Sequence, residues 1–599
     1  MADPTSIKSG GTATVSIKIN GTVISDQLRV LSVWIDQKIN RVPTARIIIL
    51  DGEAETGKFE ASSSSTFLPG ATVVIEAGYD AVNQPIFKGI ITGQSIRIDQ
   101  SVGSALEVEC RDSAIKMTVG RKSLTYAEKK DSDIITTIAG NYADVSATVS
   151  PTTTVWPEQI QYYATDWDFI LIRAEANGMI VTAIDGKLTV DRPGADTTSV
   201  LTLKFGDNLL AFNAELNAIN QLGSVKASTW DYKNQAVASG QASNDLPGPG
   251  NLASNELANV VGLTDYMMQT TAPMESADLT DWCKAQLIKS EYAKIQGEVR
   301  FQGTNLLAPG KYITLAGISD RFNGDHLVSG ISHDIADGNW TTEATIGLPA
   351  SWFIEQPDVL AQPASGLLPA VRGLFNATVK KMYDDPDAQF RILVDIPLFG
   401  EGGAGIWARL SNFYSTSGAG AFFLPEVGDE VILGFLNEDP RYPVIIGSVY
   451  SGQKNIPFSP LQPNEKNTLK AIVSKTGMYI QFNDEKKILT ITTPGKNTIV
   501  LDDDQGKITV SDQNSNVVTM SSDGITAKSP KDISITADGK VNITGTQGVI
   551  IAASGGDVNI SGINIKETAD SQYSSEGGQM SKINGGMELT LQSAMIMIN

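Results

Sequence analysis

From about residue 470 the chain is a succession of strands too short to stand alone. Ile488-Leu-Thr-Ile-Thr492 ends at Pro494-Gly495, Thr498-Ile-Val-Leu501 ends in Asp502-Asp-Asp-Gln-Gly506, and Lys507-Ile-Thr-Val-Ser511 follows. Then come Ile533-Ser-Ile-Thr536, Val541-Asn-Ile-Thr544, Val549-Ile-Ile551 and Val558-Asn-Ile-Ser561, with Gly539, Gly548 and Gly556 eight or nine residues apart. Alternation at period two puts Ile533 and Ile535, Val541 and Ile543, and Val558 and Ile560 on one face, with Ser, Thr and Asn on the other. Strands of this length leave long edges and half a core uncovered. A solenoid closed by one chain uses repeats of roughly 20 residues or more. Three copies around one axis can close with shorter ones, each buried Val or Ile contributing roughly 1.5–3 kcal/mol. The pattern predicts an intertwined trimeric β-prism, with those six residues as trimer core. A single-chain β-helix and an antiparallel sandwich are the alternatives. A helix-compatible pattern interrupts the strands at 566–580.

Composition narrows the chemistry. With 46 basic and 67 acidic residues in 599, the formal charge is −21. Scattered acid repels phosphate backbones, so no nucleic-acid partner is expected. No apolar run reaches the ~18 residues of a membrane span. Met1 to Gly10 lacks the basic-then-apolar pattern of a secretory signal. The two cysteines, Cys110 and Cys283, read as buried thiols rather than a disulfide framework. With only two histidines, His326 and His333, a zinc site is not expected, and neither is any other metal or cofactor.

Upstream, residues 12–115 alternate as half-buried strands with turns at Asp51-Gly52 and Pro69-Gly70. The period changes to helical at 131–142 and 166–177, where Trp167, Ile170, Leu171 and Ala174 share a face before Gly178. Asp185-Gly186 marks a hairpin. A polar loop at 240–256 contains Leu-Pro-Gly-Pro-Gly, and a helix is expected over 276–294. Prolines at 357, 363 and 369 mark a linker.

The block at 371–450 is distinctive. It reads Val371-Arg-Gly373, Asp385-Pro386, Phe390-Arg-Ile-Leu-Val-Asp-Ile-Pro397, Trp407-Ala-Arg409, Phe423-Leu-Pro-Glu-Val-Gly-Asp-Glu-Val431, Asp439-Pro440 and Tyr442-Pro-Val-Ile-Ile-Gly-Ser-Val-Tyr450. It resembles the OB-fold domain of the VgrG and phage baseplate spike family. Asn40, Pro43-Thr-Ala45, Gly78-Tyr79 and Phe87-Lys-Gly-Ile-Ile-Thr92 resemble that family's first hub barrel, and Leu307-Ala-Pro-Gly310, Phe322-Asn-Gly324, His333 and Trp340-Thr-Thr342 its second. The resemblance implies a mainly β chain with minor α. Its domains are a first hub β-barrel (1–120), an α/β insertion of the hub (121–200), a second hub β-barrel (201–353), a linker (354–370), an OB-fold domain (371–452), a linker (453–468) and a triple-stranded β-helix spike (469–599).

The implied function is structural. A homotrimeric hub would join the inner tube and baseplate proteins, and the spike would puncture a target membrane on sheath contraction. It would contact that membrane only on firing, and it could carry a toxin cargo. The protein would be made and assembled in bacterial cytoplasm, then form part of an extracellular or cell-attached particle. An extracellular phage-tail-like system is favoured over type VI secretion. Phage spikes of this lineage can carry a lysozyme domain after the OB-fold, but Tyr450 to Leu469 leaves about twenty residues, too few for a catalytic core. The alternative is a tailspike-like enzyme degrading cell-surface polysaccharide, which requires paired carboxylates in a groove. Asp384-Asp-Pro-Asp387 and Asp502-Asp-Asp504 lack calcium-loop spacing and read as turns, and Gly400-Glu-Gly-Gly-Ala-Gly405 as a hairpin loop. No catalytic residue is assigned. The end of the chain, Met595, Ile596, Met597 and Ile598, is the candidate platform for a PAAR-type tip protein.

Overall fold

The computed structural model describes residues 11–599 apart from 100–102, 247, 401–402, 460, 462 and 599. Met1 to Gly10, Pro247 of the Pro-Gly loop, Glu401 and Gly402 of the glycine-rich loop, and Asn599 lie outside the described residues. The chain divides into two compact units, Met1–Ser448 and Val449–Asn599.

The first unit is organised by one large sheet. At its seam the strand Gly324–Ala336 pairs antiparallel with Val30–Lys38, His333 opposite Ile35. Strands from 13–111 extend the sheet on one side and strands from 209–346 on the other. Each side has its own core, as alternation requires. Ile17, Ile35, Ile47, Ile75, Phe87 and Leu106 fill the first, and Leu203, Val299, Phe301, Ile313, Val328 and Ile346 the second. The segments expected as two hub barrels therefore share a continuous hydrogen-bonded sheet.

Among the described residues four α-helices interrupt the strands: α1 Asp131–Ala139, α2 Asp166–Ala176, α3 Ser254–Val261 and α4 Ser276–Tyr292. The Thr165 hydroxyl caps α2 by accepting the Asp168 N–H. Gly178 ends it at φ +67°, where a Cβ would meet Ile288. The Asp185-Gly186 hairpin forms as expected, both residues at positive φ between Ile180–Ile184 and Lys187–Asp191. α1 and α2 bury Ile134, Ile138, Ile170 and Leu171 together. α4 packs Leu279, Cys283 and Leu287 on a separate three-stranded sheet through Val225 and Ala227.

Residues 371–448 form a closed five-stranded barrel of Phe375–Lys381, Ile392–Asp395, Ile406–Leu410, Glu430–Phe435 and Pro443–Ser448. The fifth strand lies between the third and fourth and runs parallel to the third. Ala377, Val379, Ile392, Val394, Leu433 and Ile445 fill it. The proline-bearing segment before it is held along its first half. The Phe353 N–H donates to Glu175 at 2.7 Å, the Arg121 guanidinium donates to the Asp358 and Val359 carbonyls, and Ala364 is buried.

The α1–α2 layer hangs on a buried carboxylate. Asp131 accepts from Arg173 through both oxygens at 2.7 and 2.8 Å, from the Trp156 indole at 3.1 Å and from the Asn177 amide at 2.9 Å. Its side chain is almost wholly buried. Removing the guanidinium leaves a desolvated charge with only neutral donors. Arg173→Met is expected to destabilise the first unit by roughly 3–5 kcal/mol. Differential scanning calorimetry checks it: the transition assigned to this unit should fall by several degrees while the others stay.

Candidate functional site

The second unit holds the surface that most needs a partner. Seven five-residue strands, Leu469–Val473, Tyr479–Asn483, Ile488–Thr492, Thr498–Asp502, Lys507–Ser511, Val517–Ser521 and Gly524–Lys528, form an antiparallel meander in sequence order. The register aligns two apolar rows on one face. One runs Ile472, Ile480, Ile491, Ile499, Val510 and Val518. The other runs Phe482, Leu489, Leu501, Ile508, Met520 and Ile525. The opposite face carries a mostly polar row, Gln481, Thr490, Val500, Thr509 and Thr519. Ile480, Ile491, Ile499, Leu501, Ile508 and Val518 remain 37–40% exposed, so the chain itself does not cover this face. A sheet with an open apolar face is an interaction surface.

After Lys528 the ladder stops. Backbone bends recur at 530–531, 538–539, 546–547, 554–556, 563, 570–571, 578–579, 586–587 and 594, an eight-residue beat. Every eighth residue from 537 to 593 is small: Ala537, Gly545, Ala553, Ser561, Ala569, Gly577, Gly585 and Ser593. At Gly545, Gly577 and Gly585 a Cβ would come within 2.2–2.3 Å of the carbonyl oxygen three residues on. That close approach accounts for glycine there. Among the described residues no backbone–backbone hydrogen bond links any two of 530–598. The six residues expected as trimer core, Ile533, Ile535, Val541, Ile543, Val558 and Ile560, are all exposed on the single chain, and so are Met595, Ile596, Met597 and Ile598. The expected helical interruption at 566–580 does not form. That stretch continues the eight-residue beat, and its serines and glycines carry no apolar stripe for a helix to bury.

The other singled-out residues have structural partners. Asp385 accepts the Gln389 and Arg391 N–H groups at 2.8 and 3.1 Å and is clamped by the Arg391 guanidinium. The guanidinium holds its carboxyl well below the usual carboxylate range. Asp502 caps its turn by accepting the Gln505 N–H. In the Pro-Glu-Val-Gly-Asp-Glu-Val string, Asp429 accepts the Glu426 N–H, and Gly428, at φ +95°, donates to the Val379 carbonyl. The motif thus turns the chain into the fourth barrel strand. Asn40, at φ +60°, exchanges hydrogen bonds with Val181 and pins the first core to the helical insertion. Cys110 and Cys283 are buried and unpaired, and burial pushes the Cys110 thiol up to about 12. Among the described residues no three His, Cys, Asp or Glu side chains gather as a metal site, and no helix is long and apolar enough to cross a membrane.

Both histidines sit on the seam strand. His326 Nε2 lies 2.7 Å from the Phe322 carbonyl, and His333 Nδ1 lies 2.8 Å from the Thr342 hydroxyl and receives the Trp340 indole N–H at 3.3 Å. Burial lowers the His333 pKa from 6.5 to about 4. The folded chain therefore keeps His333 neutral where the unfolded chain takes up a proton. Stability is complete above pH 6.5 and is lost as pH falls towards 4. The motifs missed in sequence were the small residue at every eighth position and the two rows of the meander. Both were available from spacing alone.

A family model described as the Alg8 N-terminal domain matches residues 9–337. A second, described as the type VI secretion system/phage-baseplate injector OB domain, matches residues 375–450. The type VI secretion system spike protein VgrG1a of Pseudomonas aeruginosa is 23% identical over 357 residues, covering 55% of this chain and 54% of its own. VgrG1c of the same organism is 34% identical over 79 residues, 13% of this chain and 11% of its own. The match spans about half the length, or less, of these curated relatives. An Escherichia coli component of the type VI secretion system aligns at a TM-score of 0.38 and 15% identity, covering 72% of this chain and 99% of that one. The class is a mainly β protein with few helices and a closed β-barrel. The chain belongs to the Alg8 N-terminal domain family and to the VgrG and phage baseplate spike family.

The seam histidine gives a pH prediction. His333→Gln is expected to flatten the loss of stability between pH 6.5 and about 4, at some cost at neutral pH. Denaturant midpoints of both chains across that range measure it. Parallel pH curves would show that His333 does not carry the dependence.

Proposed function

We propose that this chain is the central spike of a contractile injection machine and acts as a homotrimer. One observation carries the reading: an uncovered apolar sheet face is followed by an extended repeat without backbone partners. Three copies place their meanders with the apolar rows inward as a β-prism. The eight-residue units then pair between chains, and Ile533, Ile535, Val541, Ile543, Val558 and Ile560 line the axis. Each covered Ile or Val contributes roughly 1.5–3 kcal/mol, and each interchain hydrogen bond roughly 1. The sum rises with rod length.

In this reading residues 1–120 and 201–353 are hub barrels facing the inner tube and baseplate, and 121–200 is the hub's insertion. Residues 371–452 are an OB-fold connector between the segments 354–370 and 453–468. Residues 469–599 are the spike. Its work is mechanical. A rod held by interchain hydrogen bonds along its length transmits axial force to a target membrane on sheath contraction. No chemical step is assigned to it. The polysaccharide-degrading alternative is not favoured, because VgrG1a and VgrG1b are named as spike proteins. Assembly in the cytoplasm, loading into a particle and possible toxin cargo belong to the same reading.

Light scattering on the intact protein should give three times the 63.8 kDa chain mass, and a monomer at micromolar concentration would refute the trimer. Ile499→Asp or Val541→Asp should abolish the trimer, since either sets three unpaired carboxylates in an apolar interior.

At the end of the rod Met595 to Ile598 would make a small apolar platform for a PAAR-type tip protein. Deleting Ser593–Asn599 should leave the trimer intact and remove tip-protein co-purification. Equal recovery with and without the deletion would leave this segment only a closing role.

A further inference from the structure

The eight-residue units contain one break in an otherwise aliphatic row. Each unit has two side chains on the face shared with Ile533 and Ile535, and exposure separates them. Ile533, Val541, Val549, Val558, Ile565 and Leu589, first in their units, are 49–59% exposed. Ile535, Ile543, Ile551, Ile560, Ile583 and Leu591, second in theirs, are 62–73% exposed. Ile550, Ile563 and Met587, outside those two positions, are 93–104% exposed. The pattern also survives a slip. Val549 to Val558 is nine residues and Val558 to Ile565 is seven, so one long unit is cancelled by one short unit. The second position after Ile565 is then Glu567. The next unit supplies Tyr573 and Ser575, and the following one Ser581, before Ile583 resumes the aliphatic row. The Tyr573 hydroxyl donates to Glu567 Oε2 at 2.8 Å, which places these two side chains at neighbouring levels of one face.

We infer that Glu567, Tyr573, Ser575 and Ser581 form a polar layer inside the rod, and that its partner is the same layer of two further copies. The inference rests on the threefold reading of the spike. Aliphatic levels are interchangeable, so they do not distinguish one register from another. A shift of one unit between chains would keep most of them covered. It would, however, set Glu567 of one chain beside Ile560 of another and bury a carboxylate among aliphatic side chains with only its own chain's Tyr573 hydroxyl as donor. Only parallel copies in the same register bring three Glu567 carboxylates level with three Tyr573 hydroxyls and the serines. The layer selects partner register at a cost in stability, as a single buried polar position does in a coiled coil.

The adjacent serines provide a matched test in the full-length chain. Ser574→Cys points outward and Ser575→Cys inward, and the native Cys110 and Cys283 are both buried. A maleimide dye should label S574C readily and S575C at least ~10-fold more slowly until the protein is denatured. Light scattering on the unsubstituted chain is run alongside. A trimer in which both cysteines label equally overturns the polar layer and leaves the spike reading standing. A monomer overturns the spike reading itself. In a second variant, Glu567→Leu with Ser575→Ile and Ser581→Val, the trimer should survive heating in detergent to a higher temperature than the unsubstituted protein. An unchanged or lower dissociation temperature overturns the layer as a stability cost.

Discussion

The constraint on which the C-terminal unit depends is the pairing of backbone amides and carbonyls. A buried peptide group without a partner costs about as much as a lost hydrogen bond, so folded chains leave almost none. Up to Lys528 every strand of the meander finds its neighbour next in sequence. Beyond it, through 530–598, the described chain makes no backbone–backbone hydrogen bond with itself. The same strand-and-turn composition thus has two outcomes. Loops of two to five residues return the chain on itself in the meander, whereas the later bends join no paired strands. At Gly545, Gly577 and Gly585 the missing Cβ lets the backbone pass close to itself at the step, and a side chain there would collide with the carbonyl three residues on.

The first unit answers the opposite demand. Its long sheet has two apolar cores to fill and a seam to hold where strands distant in sequence meet. Polar groups buried near that seam are fully engaged. His333 sits between Thr342 and Trp340, and Asn40 ties the first core to the insertion through Val181. Asp131 does the same work in the helical layer, gathering Arg173, Trp156 and Asn177. Residues that look like candidates for chemistry in the sequence are here fasteners, and their neighbours are donors and acceptors of the protein itself.

Much of this was legible beforehand because local rules carried it. Asp185-Gly186 specified its hairpin and Trp167 to Ala174 their helix face, whereas the Pro-Glu-Val-Gly-Asp-Glu-Val string carried only a resemblance to an OB-fold domain, and its turn came from the structure. The shared sheet was not legible, since pairing between residues 30–38 and 324–336 leaves no trace in either segment's periodicity. The expected helical stretch at 566–580 shows the other limit. Glu567, Tyr573 and Ser575 break the aliphatic alternation, and a segment whose apolar face turns polar loses the periodicity by which it is recognised. The proline-bearing segment at 354–370 reads as a loose connector, yet Glu175 and Arg121 hold its start, at Phe353, Asp358 and Val359, from well upstream, through contacts no local pattern encodes.

The change from own-chain to absent partners at Lys528 also bears on how the unit comes into being. The meander makes only contacts between neighbours in sequence, so each chain can form it unaided and quickly. The later segment has no such contacts, and its rate of ordering depends on how often other chains are nearby. In the proposed assembly, three meanders that have met hold three tails side by side at high effective concentration. A slow third-order encounter then becomes a fast unimolecular zippering that starts near Lys528 and ends at the tip. Dilution would delay nucleation without slowing the zipper, and a tail separated from its meander would lose the advantage altogether.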